Sequence, residues 1–365
     1  MRLRATVERA RRWALKSCQF AWLAGSSSNP ERLWRGSGAF PQEATVWCRM
    51  IPSPVFHGLL YIDERENQHV NLKGSHNGID IYLRCAALCA SSVRFHGCVF
   101  RLITNDRAYV QRRLGELQIP QCEVVEPRFT LDVPRGIRFY GAHFKLEVYT
   151  LFGKGAFGDW LGLIDIDSVM TAPINFPELS PETLIGYDIT DQVTPAYGVE
   201  RIRSDVERLT RVPTPRFRWL GGEFLFGHAD SFRVLSNAMA SLWLRYLDEI
   251  ENLHHVGDEM LLCASAHVLP ELRILDGGKL GFVARWWSAR TPHRQPPFAA
   301  IRSRSILHLP SDKPFLAAFS GAEFHPSTFI SAYERAVAGK LTRRRLLNGI
   351  LRRVKRDRKF AACLS

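Results

Sequence analysis

The sequence predicts an α/β fold in which a central sheet is flanked by helices. Two observations carry that reading. Short apolar runs alternate with segments of helical periodicity through the first half of the chain, and three such strand–helix units precede the strand "WLGLIDIDSVM" (160 to 170), whose apolar core ends in two aspartates. This is the order of a doubly wound sheet with crossover helices, and ligands of such sheets lie beyond the carboxyl ends of the strands.

Each element has its own signal. "HGLLYID" (57 to 63) predicts a strand, "IDIYLRCAALCASSVR" (79 to 94) a helix and "GCVFRLITND" (97 to 106) a strand ending in polar residues. "RAYVQRRLGEL" predicts the next helix, "CEVVE" (122 to 126) a short strand and "GAHFKLEVYTLF" (141 to 152) a helix. Residues 171 to 220 are rich in Pro, Thr and charge and predict an irregular segment that covers a site. "WLGGEFLFG" (219 to 227) then predicts a short strand behind two glycines. Helices follow in "DSFRVLSNAMASLWLRYLDEI" and "GDEMLLCASAHVL", then a late strand and loop in "RSRSILHLPSDKPFLAAF" (302 to 319).

Composition sets outer limits. At 365 residues and 46% hydrophobic content the chain can bury a sizeable core. No run approaches the ~18 consecutive apolar residues of a spanning helix. Eight cysteines form neither a Cys-x-x-Cys pair nor a small-domain framework, and Cys85 and Cys89, one helical turn apart, read as buried thiols in a reducing cytoplasm. Residues 1–54 form a basic N-terminal extension, read as an amphipathic leader or an over-extended start with Met50 as the alternative beginning. Residues 55–339 form the catalytic domain, and 340–365 a basic tail.

The charge is uneven. Of the net +13, a net +9 lies between Lys340 and Lys359, where ten Lys or Arg face one Asp. Leu341, Leu346, Leu347, Ile350, Leu351 and Val354 form an apolar stripe among the arginines. Such a helix suits an anionic membrane surface, and without interleaved aromatics no nucleic acid is expected as partner. A helix packed on the body with a solvated basic face is the alternative.

The acid pair needs a reason. At the end of a strand Asp165 and Asp167 project to one side while Ile166 stays with the packing. Two carboxylates in one small space repel unless a cation or a proton sits between them, so the pair is a metal site or an acid/base dyad.

"LIDIDSVM", "LGGEFLFG", "GDEMLL" and "ILHLPSDKPF", in this order, resemble the nucleotide-sugar glycosyltransferases of GT-A fold, most closely the retaining family 8 type. With "ITND" and "FKLEVYTLF" upstream, the resemblance spans about Val55 to Ser320. It implies a Rossmann-like central mixed sheet flanked by helices, and a metal-dependent transfer of sugar from a nucleotide diphosphate, UDP by preference, to a glycan or lipid-linked acceptor. By resemblance Asp165 and Asp167 hold Mn²⁺ or Mg²⁺ against the donor diphosphate, His308 completes the coordination and Lys313 meets the diphosphate. The family's usual His-x-x-Gly-x-x-Lys-Pro-Trp is here one residue shorter, with Ser311 at the Gly position and Phe315 at the end. The chemistry fits these groups: negative charge grows on the departing diphosphate, and a divalent cation and a lysine oppose it.

Further residues carry paired readings. Asp258 and Glu259 follow Gly257, where acids favour a helix start, and the resemblance puts one of them on the acceptor or sugar side of the pocket. Glu223 lines the cleft, or its two preceding glycines merely turn the chain. Lys145 reads as a helix-surface cation before a donor contact, and Lys313 as a loop lysine or a diphosphate ligand. Asp63, at the end of the first strand, is placed to reach the nucleoside.

Two other functions are compatible with the motifs. "LIDIDSV" also fits a haloacid dehalogenase-type phosphatase with Asp165 as nucleophile and Asp167 as acid/base, although three strand–helix units come first and "GDEMLLCAS" lacks the later acid. A catalytically inactive sugar-nucleotide binder is the third. The expected location is cytoplasmic, peripheral at the inner face of the membrane.

Overall fold

The computed structural model describes residues 54–63, 78–120, 122–215, 217–321 and 323–340. The N-terminal extension and the basic stripe after Lys340 lie outside the described residues. The architecture is α/β, with a seven-stranded mixed central sheet flanked by helices and a second, three-stranded sheet beside it.

The first half follows the predicted alternation. Strand β1 (Val55–Leu60) leads to α1 (Gly78–Phe95), β2 (Val99–Thr104) to α2 (Arg107–Glu116), and β3 (Glu123–Val125) to a 3-10 turn (Tyr140–Phe144) that runs into α3 (Lys145–Gly153). Strand β4 (Trp160–Ile164) then enters beside β1. Asp106 starts α2 as a true cap, its carboxylate accepting the Tyr109 amide at 2.8 Å.

The sheet order is β3-β2-β1-β4-β7-β6-β8, where β6 is Thr183–Asp188, β7 Leu220–His228 and β8 Arg273–Asp276. Only β7 runs against its neighbours. Its amino end therefore lies at the edge where β1, β4 and β6 end. That reversal brings Gly221, Gly222 and Glu223 to the same rim as the acid pair.

Residues 171 to 220 are not irregular. They supply β6, an inner strand of the sheet beside its edge strand β8, and two helices, α4 (Thr190–Tyr197) and α5 (Val199–Thr210). The prolines that marked the segment as loop lie mostly between these elements, and "TLIGYD" is held as a strand by partners on both sides, β7 and β8. Tertiary pairing overrides the local breaker signal. Likewise β7 is nine residues long and includes its two glycines rather than following them.

The chain leaves the large sheet after Ile164. β5 (Ser168–Met170) pairs antiparallel with β10 (Ile306–His308), which pairs parallel with β9 (Val283–Arg285). Helix α1 is wedged between the two sheets, with Cys89 and Ala86 in the main core and Cys85 and Leu88 in the second. A helix buried on both sides has no polar face to spare, which explains ten buried positions among its eighteen residues. Both thiols are buried as expected, and burial raises their pKa values. On the opposite side α3 packs against α6 (Ala229–Glu249), and α6 against α7 (Asp258–His267). The second core is closed by α8 (Phe298–Ile301), α9 (Lys313–Phe319) and a helix over 326–340, through Phe298, Leu316, Phe329 and Tyr333. No helix of the described residues is long and apolar enough to cross a membrane.

Candidate active site

The acid pair does not sit on a strand. β4 stops at Ile164, and the next residues turn, with the Ser168 amide donating to the Asp165 carbonyl at 3.0 Å. The turn is the passage from one sheet to the other. It is fixed on both flanks, by the Asp165 amide on the Glu223 carbonyl (3.1 Å) and the Leu309 amide on the Asp167 carbonyl (3.1 Å). Ile166 is buried and packs over β1, where a side chain at Gly58 would meet its Cγ2 at 2.5 Å. The predicted outcome, both carboxylates on the cleft side and Ile166 in the packing, thus arises from a turn instead of strand alternation.

His308 arrives from β10, in register with Ser168 of β5 and Arg285 of β9. Its Nε2 lies 3.2 Å from Asp167 Oδ1 and 3.7 Å from Asp165 Oδ2. One ligand atom from each of the three residues falls within 4.8 Å of the others, and this is the single such group among the described residues.

The remaining carboxylate oxygens are already engaged. Lys145 Nζ lies 2.7 Å from Asp165 Oδ1, and Lys313 Nζ lies 2.5 Å from Asp167 Oδ2. Each aspartate thus gives one oxygen to a lysine and turns the other toward His308. Neither lysine is a surface group. Lys145 opens α3 beneath the site and also binds Asp258 Oδ2 (2.8 Å) and the Gly222 carbonyl (2.9 Å). Lys313 begins α9, not a loop, and donates to the Pro310 carbonyl at 3.0 Å. Amphipathic spacing cannot show a lysine whose partners come from elements a hundred residues away.

The other acids form a second tier. Glu223 is 1% exposed, with Oε1 3.3 Å from Arg285 Nε and 3.7 Å from His308 Nδ1. The latter distance is too long for a hydrogen bond. Glu259 takes Arg285 Nη1 at 3.0 Å and the Trp219 indole at 2.8 Å, with His255 Nε2 at 3.5 Å. Asp258 and Glu259 do begin α7 behind Gly257, as their types favour, but both side chains are spent on site cations. The two glycines of β7 make room: a Cβ on Gly222 would collide with the Asp258 carboxylate, and one on Gly221 with that of Glu223.

Five carboxylates (Asp165, Asp167, Glu223, Asp258, Glu259) thus share three permanent cations (Lys145, Arg285, Lys313). Burial would raise the Asp167 carboxyl, but Lys313 and His308 overcome it and hold it well below the usual range. Burial raises Asp165, with Lys145 only partly opposing it. Glu223, despite burial, is brought down to about 2 by Arg285 and His308. Burial opposes a charge on His308, yet Asp167 and Glu223 raise it to about 9. The donor set therefore suits a cation: two oxygens and a nitrogen converge in a place with carboxylate charge in excess. Asp165, Asp167 and His308 could bind a metal ion.

The cluster sits in a cleft of about 390 Å³. Asp63, three residues beyond the end of β1, lines it, and Asn105 of "ITND" braces the neighbouring Ile62 by accepting its amide (2.6 Å) and donating to its carbonyl (2.8 Å). All nine sequence-predicted site residues line this one cleft. Arg285, His255, Tyr197, Trp287 and His293 line it too and were not foreseen. A signal existed for Arg285 alone: a single charge in the apolar run "FVARWW".

No protein-family model matches the chain, and no match to it was found among curated proteins.

Proposed function

We propose that the protein is a metal-dependent glycosyltransferase that moves a sugar from a nucleotide diphosphate donor, UDP-linked by resemblance, to a glycan or lipid-linked acceptor. The observation that carries this reading is the Asp165–Asp167–His308 group with the Lys313 ammonium held against it. Asp165, Asp167 and His308 would hold a divalent ion, Mn²⁺ or Mg²⁺, and its charge would neutralise the donor diphosphate.

The chain's own residues do the rest. In the transfer the anomeric C–O bond to the diphosphate breaks, a C–O bond to the acceptor oxygen forms, and the acceptor hydroxyl's proton passes to the departing diphosphate. Lys313, fixed by Asp167 and Pro310 O, opposes charge that develops on the leaving phosphate. Lys145 holds Asp165 to Asp258 and so keeps the turn and α7 in one geometry. By the resemblance Asp63 would reach the nucleoside, Glu223 would line the cleft beside the sugar, and one of Asp258 and Glu259 would face the sugar or acceptor. The basic tail would set this cleft beside an anionic cytoplasmic membrane surface.

The phosphatase reading is weaker on physical grounds. An acid/base must be free to give and take a proton, whereas Asp167 Oδ2 is held by Lys313 at 2.5 Å. The test is a panel of nucleotide sugars incubated with the purified chain and Mn²⁺, with a phosphomonoester as control. Donor turnover lost in EDTA supports the transferase; phosphomonoester turnover without donor turnover overturns it. Metal-dependent nucleotide binding without turnover would mark an inactive binder.

A further inference from the structure

The interior of the cleft holds polar atoms without a hydrogen-bond partner, although Glu223 Oε1 and Arg285 Nε face each other as an ion pair at 3.3 Å. Glu223 Oε1 and Oε2, Arg285 Nε and Nη2, and His308 Nδ1 are buried without a hydrogen-bond partner in the protein. Buried polar atoms are nearly always paired, so such a concentration on adjacent residues calls for a ligand. The Glu223 and Arg285 side chains are each more than nine-tenths buried and both line the cleft.

The pair also limits what that ligand can be. A phosphate or carboxylate would be drawn to Arg285 but repelled by Glu223 and Glu259; a cation would meet the reverse. A hydroxyl donates and accepts at once, so a neutral polyol is the chemistry that satisfies a carboxylate and a guanidinium side by side. The position agrees. His308 presents Nε2 to Asp165 and Asp167 and Nδ1 to Glu223, so the Glu223–Arg285 pair lies one imidazole ring away from the metal-binding group. Trp287 and His293, stacked on each other at 5.7 Å, line the same cleft and add aromatic surface to it.

We propose that Glu223 and Arg285 read the ring hydroxyls of the transferred sugar and set donor specificity. This rests on the glycosyltransferase reading above and adds to it the residues that recognise the sugar. Glu223 accepts from one hydroxyl, Arg285 donates to the same hydroxyl or its neighbour, and Glu259 holds Arg285 in place through Nη1. A site built in this way rejects a sugar lacking the hydroxyl, because the buried oxygens of Glu223 and the Nη2 of Arg285 are then left without a hydrogen-bond partner.

The test is calorimetric titration of the full chain with Mn²⁺ and, in turn, UDP, UDP-glucose, UDP-galactose, UDP-N-acetylglucosamine, GDP and GDP-mannose. At least one nucleotide sugar is expected to bind tenfold or more tightly than its parent nucleotide. Glu223→Gln and Arg285→Lys should each remove most of that margin while the parent nucleotide binds within about twofold of its original affinity, which also reports that the variant has folded. A margin that survives in both variants, or none in the unaltered protein, overturns the inference and leaves the nucleotide-binding reading standing. No metal-dependent binding of either nucleotide overturns both together. If the variants lose the nucleotide as well, ring-deoxy analogues of the preferred donor on the unaltered protein decide: loss of the margin at one or two hydroxyls supports the assignment, and a margin indifferent to every hydroxyl overturns it.

Discussion

Lys313 Nζ lies 2.5 Å from the Asp167 oxygen that faces away from His308, so one carboxylate orients the ammonium and still offers its second oxygen to a metal. The lysine is 4% exposed and starts a helix whose preceding residue, Asp312, accepts from Tyr333 Oη at 2.8 Å and Ser288 Oγ at 2.5 Å. Its placement is thus decided by the second core. Lys313→Ala should lower kcat by about 100-fold and weaken donor binding far less, since the charge it opposes grows in the transition state. Equal losses in kcat and affinity, measured by steady-state kinetics with calorimetry, would assign it a ground-state role.

The metal group makes a separate prediction. Asp165→Ala and Asp167→Ala should each abolish saturable Mn²⁺ binding in a calorimetric titration and abolish turnover, with the circular dichroism spectrum unchanged. Activity persisting in EDTA would remove the metal from the reading altogether.

Gly222 offers a steric test away from any charge change. A methyl group there would enter the space of the Asp258 carboxylate and crowd Lys145 Nζ at 3.3 Å. Gly222→Ala is expected to cost about 1–3 kcal/mol of stability and to disturb the site even where the fold survives. Denaturant unfolding beside a metal titration checks both, and a wild-type value in both would show that Asp258 can simply move aside.

His57 gives a pH dependence independent of the site. It lies within β1, fully buried, between Phe152 and Phe157, with Nδ1 donating to the Gly162 carbonyl at 3.3 Å and Nε2 without a partner. Burial lowers its pKa from 6.5 to about 3, with Arg101 adding to the effect. The folded value lies below the unfolded one, so the unfolded chain takes up the proton first. Stability is therefore full above pH 6.5 and falls as pH drops toward 3. From neutrality to pH 5 the contribution lost is about 2 kcal/mol. His57→Gln should lack this part of the acid loss, read as the difference between the two proteins in urea unfolding midpoints across pH 5–7.5. Parallel curves would mean that the imidazole is not held neutral.

The tail beyond the described residues predicts membrane attachment. Lys340 pairs with Asp312, so a truncation that keeps the fold should end after it. Removing 341–365 should release the protein from anionic vesicles and leave turnover of a soluble acceptor nearly unchanged. The basic residues each contribute on the order of 1 kcal/mol near such a surface. Equal sedimentation with neutral and anionic vesicles would favour a purely hydrophobic contact.

The sequence by itself determined the α/β alternation up to β4, because each of those elements carries its own period and its own boundaries. It also determined that Asp165 and Asp167 share one space, since two carboxylates two residues apart behind an apolar strand have few other uses. Residues 171–220 were beyond it: β6 is a strand only because β7 and β8 flank it, and no local pattern reports a partner. Tertiary structure also decided how the acids are used. The turn after Ile164, the reversal of β7 and the crossing into the small sheet bring Lys145, Glu223, Arg285, His308 and Lys313 together from positions up to 168 residues apart, judged by the numbering. Burial then makes each of these charges depend on the others. A lysine at the start of a helix and an arginine in an apolar strand look ordinary along the chain, and only in the folded cleft, where an unpaired charge is costly, do their partners become fixed.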